Sequence, residues 1–156
     1  MFLTLLVALS VHAAPECAKD LAGLKTLLND PQFPLVWIET SADDGKPLVV
    51  TLSERDAKVH LEFDKTKEGL WASGGADICK IDGKVVAHIT KDHIKLGKAA
   101  HWVVKMSMSG GAKFTLAYLA PNSLHISTFG WKGDFVPQKK EPPLEAGVPL
   151  EAETKN

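Results

Sequence analysis

The sequence predicts a mainly β protein: an antiparallel meander forming a small barrel or strongly curved sheet of about eight or nine strands, with one N-terminal amphipathic helix. Three observations predict it. From Leu35 onward apolar and polar residues alternate in short runs, turn-forming clusters separate the runs at close spacing, and no helical stretch lies between them to serve as a crossover. Strands so joined pair with their chain neighbours, and closure into a barrel removes the edges an open sheet must protect.

Residues 1–13 read as a secretory signal peptide. Met1 to Val11 is almost wholly apolar, and Val11-His12-Ala13 places small residues where a signal peptidase reads, although no Lys or Arg precedes the apolar stretch. The run is shorter than the roughly 18 to 20 residues of a membrane span, and Ala14-Pro15-Glu16 before Cys17 does not fit a lipid-attachment site. A secreted or periplasmic location follows as an expectation. In an oxidising compartment the chain's 2 cysteines, Cys17 and Cys79, most simply form one disulfide. By loop-closure entropy such a bridge is worth roughly 4 kcal/mol.

Residues 14–137 are expected to form a single β-rich domain. Leu21, Leu24, Leu27 and Leu28 recur at helical spacing, which predicts a helix of about three turns from Cys17 to Asn29, ended by Asp30-Pro31 and Pro34. The period then changes to two. Strands are expected over Leu35–Thr40, Leu48–Glu54, Lys58–Asp64 and Leu70–Ser73, with a bulge or a sharp bend at Gly74-Gly75 before a hairpin of Ala76–Ile81 and Lys84–Thr90. Asp82-Gly83 suits a two-residue type I′ turn, which sets Ile81 opposite Lys84, Cys79 opposite Val86 and Asp77 opposite His88. Ile78, Val85, Ala87 and Ile89 then share an apolar face, and Cys17 is drawn to the opposite, mixed face. Further strands are expected over His93–Leu96, His101–Met108, Phe114–Leu119 and Leu124–Phe129. The segment Gly130 to Phe135 reads either as an exposed loop or as a stretch whose Trp131 closes the end of the barrel, and residues 138–156, rich in proline and without apolar periodicity, as a disordered tail.

The layout is similar to small secreted barrels of the lipocalin or calycin kind, a resemblance of architecture, since the Gly-x-Trp signature near the first strand is missing. It implies a barrel that holds a small ligand.

Composition narrows the function. A net charge of -1 with both signs interspersed lacks the concentrated basic surface that nucleic acid requires. The histidines occur singly, without the short ligand spacing of zinc sites, and neither a Gly-x-Ser-x-Gly elbow nor a phosphate loop is present. Asp77 and His88 are the one acid–base pair the register brings together, and a hydrolase built on them needs a third group. The expectation is therefore a protein that is not an enzyme and carries no metal or cofactor. It binds a small apolar or amphipathic molecule against Trp102, Met106, Met108, Phe114, Leu116 and Tyr118, which lie on like-facing positions of two strands joined by one turn. The alternative is a protein-binding module, such as a periplasmic hydrolase inhibitor, that presents Trp131 and Phe135 on an exposed loop.

Overall fold

A computed structural model describes residues 14–98 and 110–139. In chain order the elements are β1 (Glu16–Ala18), α1 (Leu21–Leu27), β2 (Val36–Glu39), β3 (Leu48–Arg55), β4 (Lys58–Lys65), β5 (Gly69–Ile81), β6 (Lys84–Ile89), β7 (Lys95–Leu96), β8 (Ala112–Leu119), β9 (Ser123–Thr128) and β10 (Trp131–Pro137). Strands β2 to β6 and β8 to β10 pair in sequence, and β10 pairs back onto β2, so an antiparallel barrel of 8 strands closes as a meander.

Alternation places the core inside this barrel. Leu48, Val50 and Leu52 on β3 and Val59, Leu61 and Phe63 on β4 are buried, while the residues between them are not. The β5–β6 hairpin has the register the Asp-Gly turn predicts, including Asp77 opposite His88 and Cys79 opposite Val86. Asp82 and Gly83 both have positive φ, 50° and 77°, as a type I′ turn requires. Ile78, Val85, Ala87 and Ile89 are all buried on its inner face.

The disulfide Cys17–Cys79 is present. Its surroundings correct the expected helix start. Cys17 lies opposite Cys79 in a short antiparallel ladder between β1 and β5, so residues 16–18 are extended rather than helical. The helix begins only after Asp20, whose Oδ1 accepts the Gly23 N–H at 2.7 Å as an N-cap. Leu24 and Leu27 are buried and Leu21 and Leu28 pack beside them, so the leucine stripe closes one end of the barrel as an amphipathic face should.

Two further expectations are corrected. The chain does not bend into two strands at Gly74-Gly75: β5 runs unbroken for 13 residues, exchanging β7 for β6 along one side and β4 for β1 along the other. Nor is Gly130 to Phe135 a loop. Trp131, Gly133 and Phe135 turn toward the interior while Lys132, Asp134 and Val136 turn outward, which makes the segment the strand that closes the barrel. The expected strand His101–Met108 lies outside the described residues.

Candidate functional site

The barrel has unlike ends. At one, α1 and the residues after it form a plug: Phe33 meets Trp37 and Tyr118 at ring-centroid distances of 5.3 and 5.0 Å. The Trp37 indole N–H donates to the Pro34 carbonyl at 2.7 Å, and Tyr118 donates its hydroxyl hydrogen to Asp30. The middle of the barrel is filled by side chains. Phe63 stacks on Phe114 at 4.7 Å, and from Phe63 the aromatic contacts continue through Trp71 and Trp131 to Phe135. Among the described residues, Phe114 is thus taken up by packing against Phe63 and borders no cleft.

At the opposite end the described residues leave a recess. Between the β2–β3 connection, the ends of β4 and β5 and the start of β10 lies a cleft of about 360 Å³. Its walls include Trp71, Trp131 and Leu48, with Glu39, Asp43, Asp44, Lys65 and Lys132 around them. The strand phase explains the charged members. Glu39 follows the buried Trp37 by two residues and Lys65 follows the buried Phe63 by two, so both side chains continue inward-facing rows out to the barrel mouth.

Trp71 reaches the cleft through a β-bulge. Phe63 lies opposite Ala72 and Asp64 opposite Leu70, so Trp71 is the extra residue with no partner on β4. A bulge of this kind re-aims a side chain, and Trp71 is left only 3% exposed. Its indole nitrogen is buried and has no hydrogen-bond partner among the described residues. Trp131 lies 5.5 Å from it between ring centroids, tilted by 53°. The backbone makes room for that indole at Gly133, where a Cβ would stand 2.9 Å from Trp131 Cζ2 and 2.9 Å from Phe135 Cε2.

Hydrogen bonds hold the rim. Glu39 Oε2 accepts the Leu48 N–H at 3.0 Å, leaving its other oxygen for the cleft. Asp44 accepts from the Lys46 N–H at 3.0 Å and from Lys65 Nζ at 3.2 Å. The Lys46 N–H, against the opposing effect of burial and with help from Lys65, holds the Asp44 carboxyl below its usual pKa. Thr66 donates both its hydroxyl at 2.6 Å and its N–H at 3.1 Å to the Pro47 carbonyl, which ties the β4–β5 turn to the β2–β3 connection.

The residues singled out from sequence are dispersed. Trp102, Met106 and Met108 lie outside the described residues. Phe114 is in the packed interior, while Leu116 and Tyr118 border a groove of about 320 Å³ beside the C-terminal end of α1, far from the mouth. Trp131 lines the mouth cleft, but Phe135, 1% exposed, is core and unavailable to a partner. Asp77 and His88 face each other in register yet take other partners: Asp77 pairs with Lys58 at 3.1 Å and His88 Nε2 bonds to the Gly110 carbonyl oxygen at 2.7 Å. No cluster of three or more metal-ligating side chains occurs among the described residues.

Sequence reasoning missed Glu39, Lys65 and Trp71. The first two carried a signal, a charged residue on the apolar phase at a strand end. Trp71 carried none, because a bulge breaks the alternation that would locate it. The chain matches no family model, no curated protein and no solved structure.

Proposed function

We propose that the protein is an exported, non-enzymatic binding protein that takes a small amphipathic ligand in the cleft at the end of its barrel opposite α1. The observation that carries this reading is the juxtaposition in one cleft of two tryptophans with inward-facing Glu39 and Lys65, above an interior already filled by side chains. Binding sites commonly combine apolar walls with a few placed polar groups. The disulfide, and the lack among the described residues of a helix long and apolar enough to cross a membrane, are consistent with an extracellular location.

A second reading, a protein-binding module, is favoured by one observation. Phe129, on the turn between β9 and β10 at the same end of the barrel, is 71% exposed. An exposed aromatic at a loop tip is the type of anchor that docks into a partner's pocket. Native mass spectrometry of protein purified from its own host separates the two. A retained small molecule, lost in Trp131→Ala, supports the first; a retained protein, lost in Phe129→Ala, supports the second; the bare chain alone counts against both.

A further inference from the structure

Resting on the mouth-cleft reading, we infer that the ligand class is a neutral saccharide. The cleft brings together carboxylate acceptors, Glu39 and Asp43, and an ammonium donor, Lys65, with Lys132 at its edge. Beside them Trp71 contributes apolar wall, its indole nitrogen being buried. A hydroxyl group both gives and accepts a hydrogen bond, so a polyhydroxylated ring satisfies a wall of mixed donors and acceptors.

The competing chemistries fit less well. A hydrocarbon chain would desolvate Glu39 and Lys65 and give them nothing in return, which costs binding. An anion meets Glu39, Asp43 and Asp44, and a cation meets Lys65 and Lys132, so neither sign finds a field of one polarity. A sugar ring also has an apolar C–H face, and Trp131, half-buried and supported from behind by Trp71 and Phe135, offers it a rigid flat surface. At about 360 Å³ the cleft is at the small end of ligand pockets, which run from about 300 to 1,000 Å³, and suits a mono- or disaccharide.

The test is saturation-transfer NMR together with tryptophan-fluorescence titration of the exported full chain. The probes are glucose, galactose, N-acetylglucosamine, maltose, cellobiose and diacetylchitobiose, run beside laurate and tetramethylammonium. A saturable signal from at least one saccharide is expected, strongest at ring C–H protons, abolished in Trp131→Ala and weakened about tenfold in Glu39→Gln. That loss corresponds to about 1.4 kcal/mol. The glutamine amide oxygen still accepts the Leu48 N–H, so Glu39→Gln leaves the rim intact, and Trp131→Leu, which fills space without a flat ring, replaces Trp131→Ala if the latter does not fold. Binding of laurate or tetramethylammonium at a Trp131-dependent site, with no saccharide bound, would overturn the saccharide assignment and leave the cleft reading standing. Saccharide binding that survives both substitutions overturns the assignment to this cleft, and binding of no probe removes both.

Discussion

Tyr118 on β8 donates its hydroxyl hydrogen to the carboxylate of Asp30, 88 residues earlier in the chain, and so fastens the segment after α1 to the barrel wall. Burial, and then the Asp30 carboxylate itself, push the tyrosine pKa up to about 12 from an ordinary 10.0. The neutral phenol is thus the form the fold favours. Stability from this contact is complete below pH 10 and is lost as the pH rises from there toward 12. Tyr118→Phe is expected to cost about 1 to 2 kcal/mol at neutral pH. The difference between wild-type and variant unfolding free energies should shrink over that alkaline window, as urea titrations at several pH values would show; a constant difference would mean that the hydroxyl does not titrate with folding.

The same end of the barrel is held covalently. Cys17 and Cys79 face each other across the β1–β5 ladder, and 62 residues separate them in the chain. Cys17→Ser/Cys79→Ser is expected to lose roughly 2 to 4 kcal/mol, most of it through the greater freedom of the unfolded chain. Reduction of the wild type should reproduce the variant's denaturation midpoint. Retention of the wild-type midpoint after complete reduction would mean that the leucine packing of α1 alone holds the plug.

A histidine on the outer face of β4 sets an acid limit. Burial and the neighbouring Arg55 charge lower the His60 pKa below 6.5, with Glu62 opposing them. The folded state favours the neutral ring, so the unfolded chain binds more protons as acid is added, and stability falls as the pH drops through 6.5 toward the folded-state value. His60→Gln should flatten that part of the stability curve. Equal slopes for wild type and variant between pH 7 and 5 would exclude His60 as the cause.

How far the fold was legible depended on which signals were local. Asp82-Gly83 fixed a complete hairpin register because a two-residue turn leaves no slack. The start of α1 was misplaced because Cys17 looked like the first residue of a leucine-striped helix. What makes it extended is its pairing with Cys79, a tertiary contact no window contains. β10 was hidden by the glycines around Trp131, although Trp131, Gly133 and Phe135 alternate with Lys132, Asp134 and Val136 as a strand's residues do. At the site, Glu39 and Lys65 were readable in principle by extending the buried phase of Trp37 and Phe63. Trp71 was not, because its inward aim depends on a register shift against β4.

The turn between β3 and β4 carries a removable strain. Asp56 and Ala57 have φ of 52° and 55°, so the hairpin adopts the left-handed geometry at a residue with a Cβ. Alanine pays about 1 to 2 kcal/mol for that conformation, whereas glycine adopts it freely. Ala57 is exposed, so its methyl group contributes little burial. Ala57→Gly is expected to stabilise the protein by about 0.5 to 1 kcal/mol, the strain relief being partly offset by the greater freedom of the unfolded chain. A lower melting temperature would show that the turn is not under strain.

The mouth itself is tested at Gly133, whose missing side chain leaves space for the Trp131 and Phe135 rings. A methyl group there would stand 2.9 Å from each ring, closer than carbon atoms approach without displacement. Phe135 is locked in the core at 1% exposure, whereas Trp131 is only partly buried at the rim, so Trp131 is the ring that gives way. Gly133→Ala should therefore move Trp131 off Trp71 and expose both indoles. The expected readouts are a red shift of tryptophan emission and faster acrylamide quenching, with a stability loss of about 1 to 3 kcal/mol typical of overpacking. Strand alternation points the new methyl inward regardless of what Trp131 does. An unchanged emission spectrum in a folded variant would mean that the barrel end relaxes elsewhere and that the two indoles do not form the rigid wall on which the binding site depends.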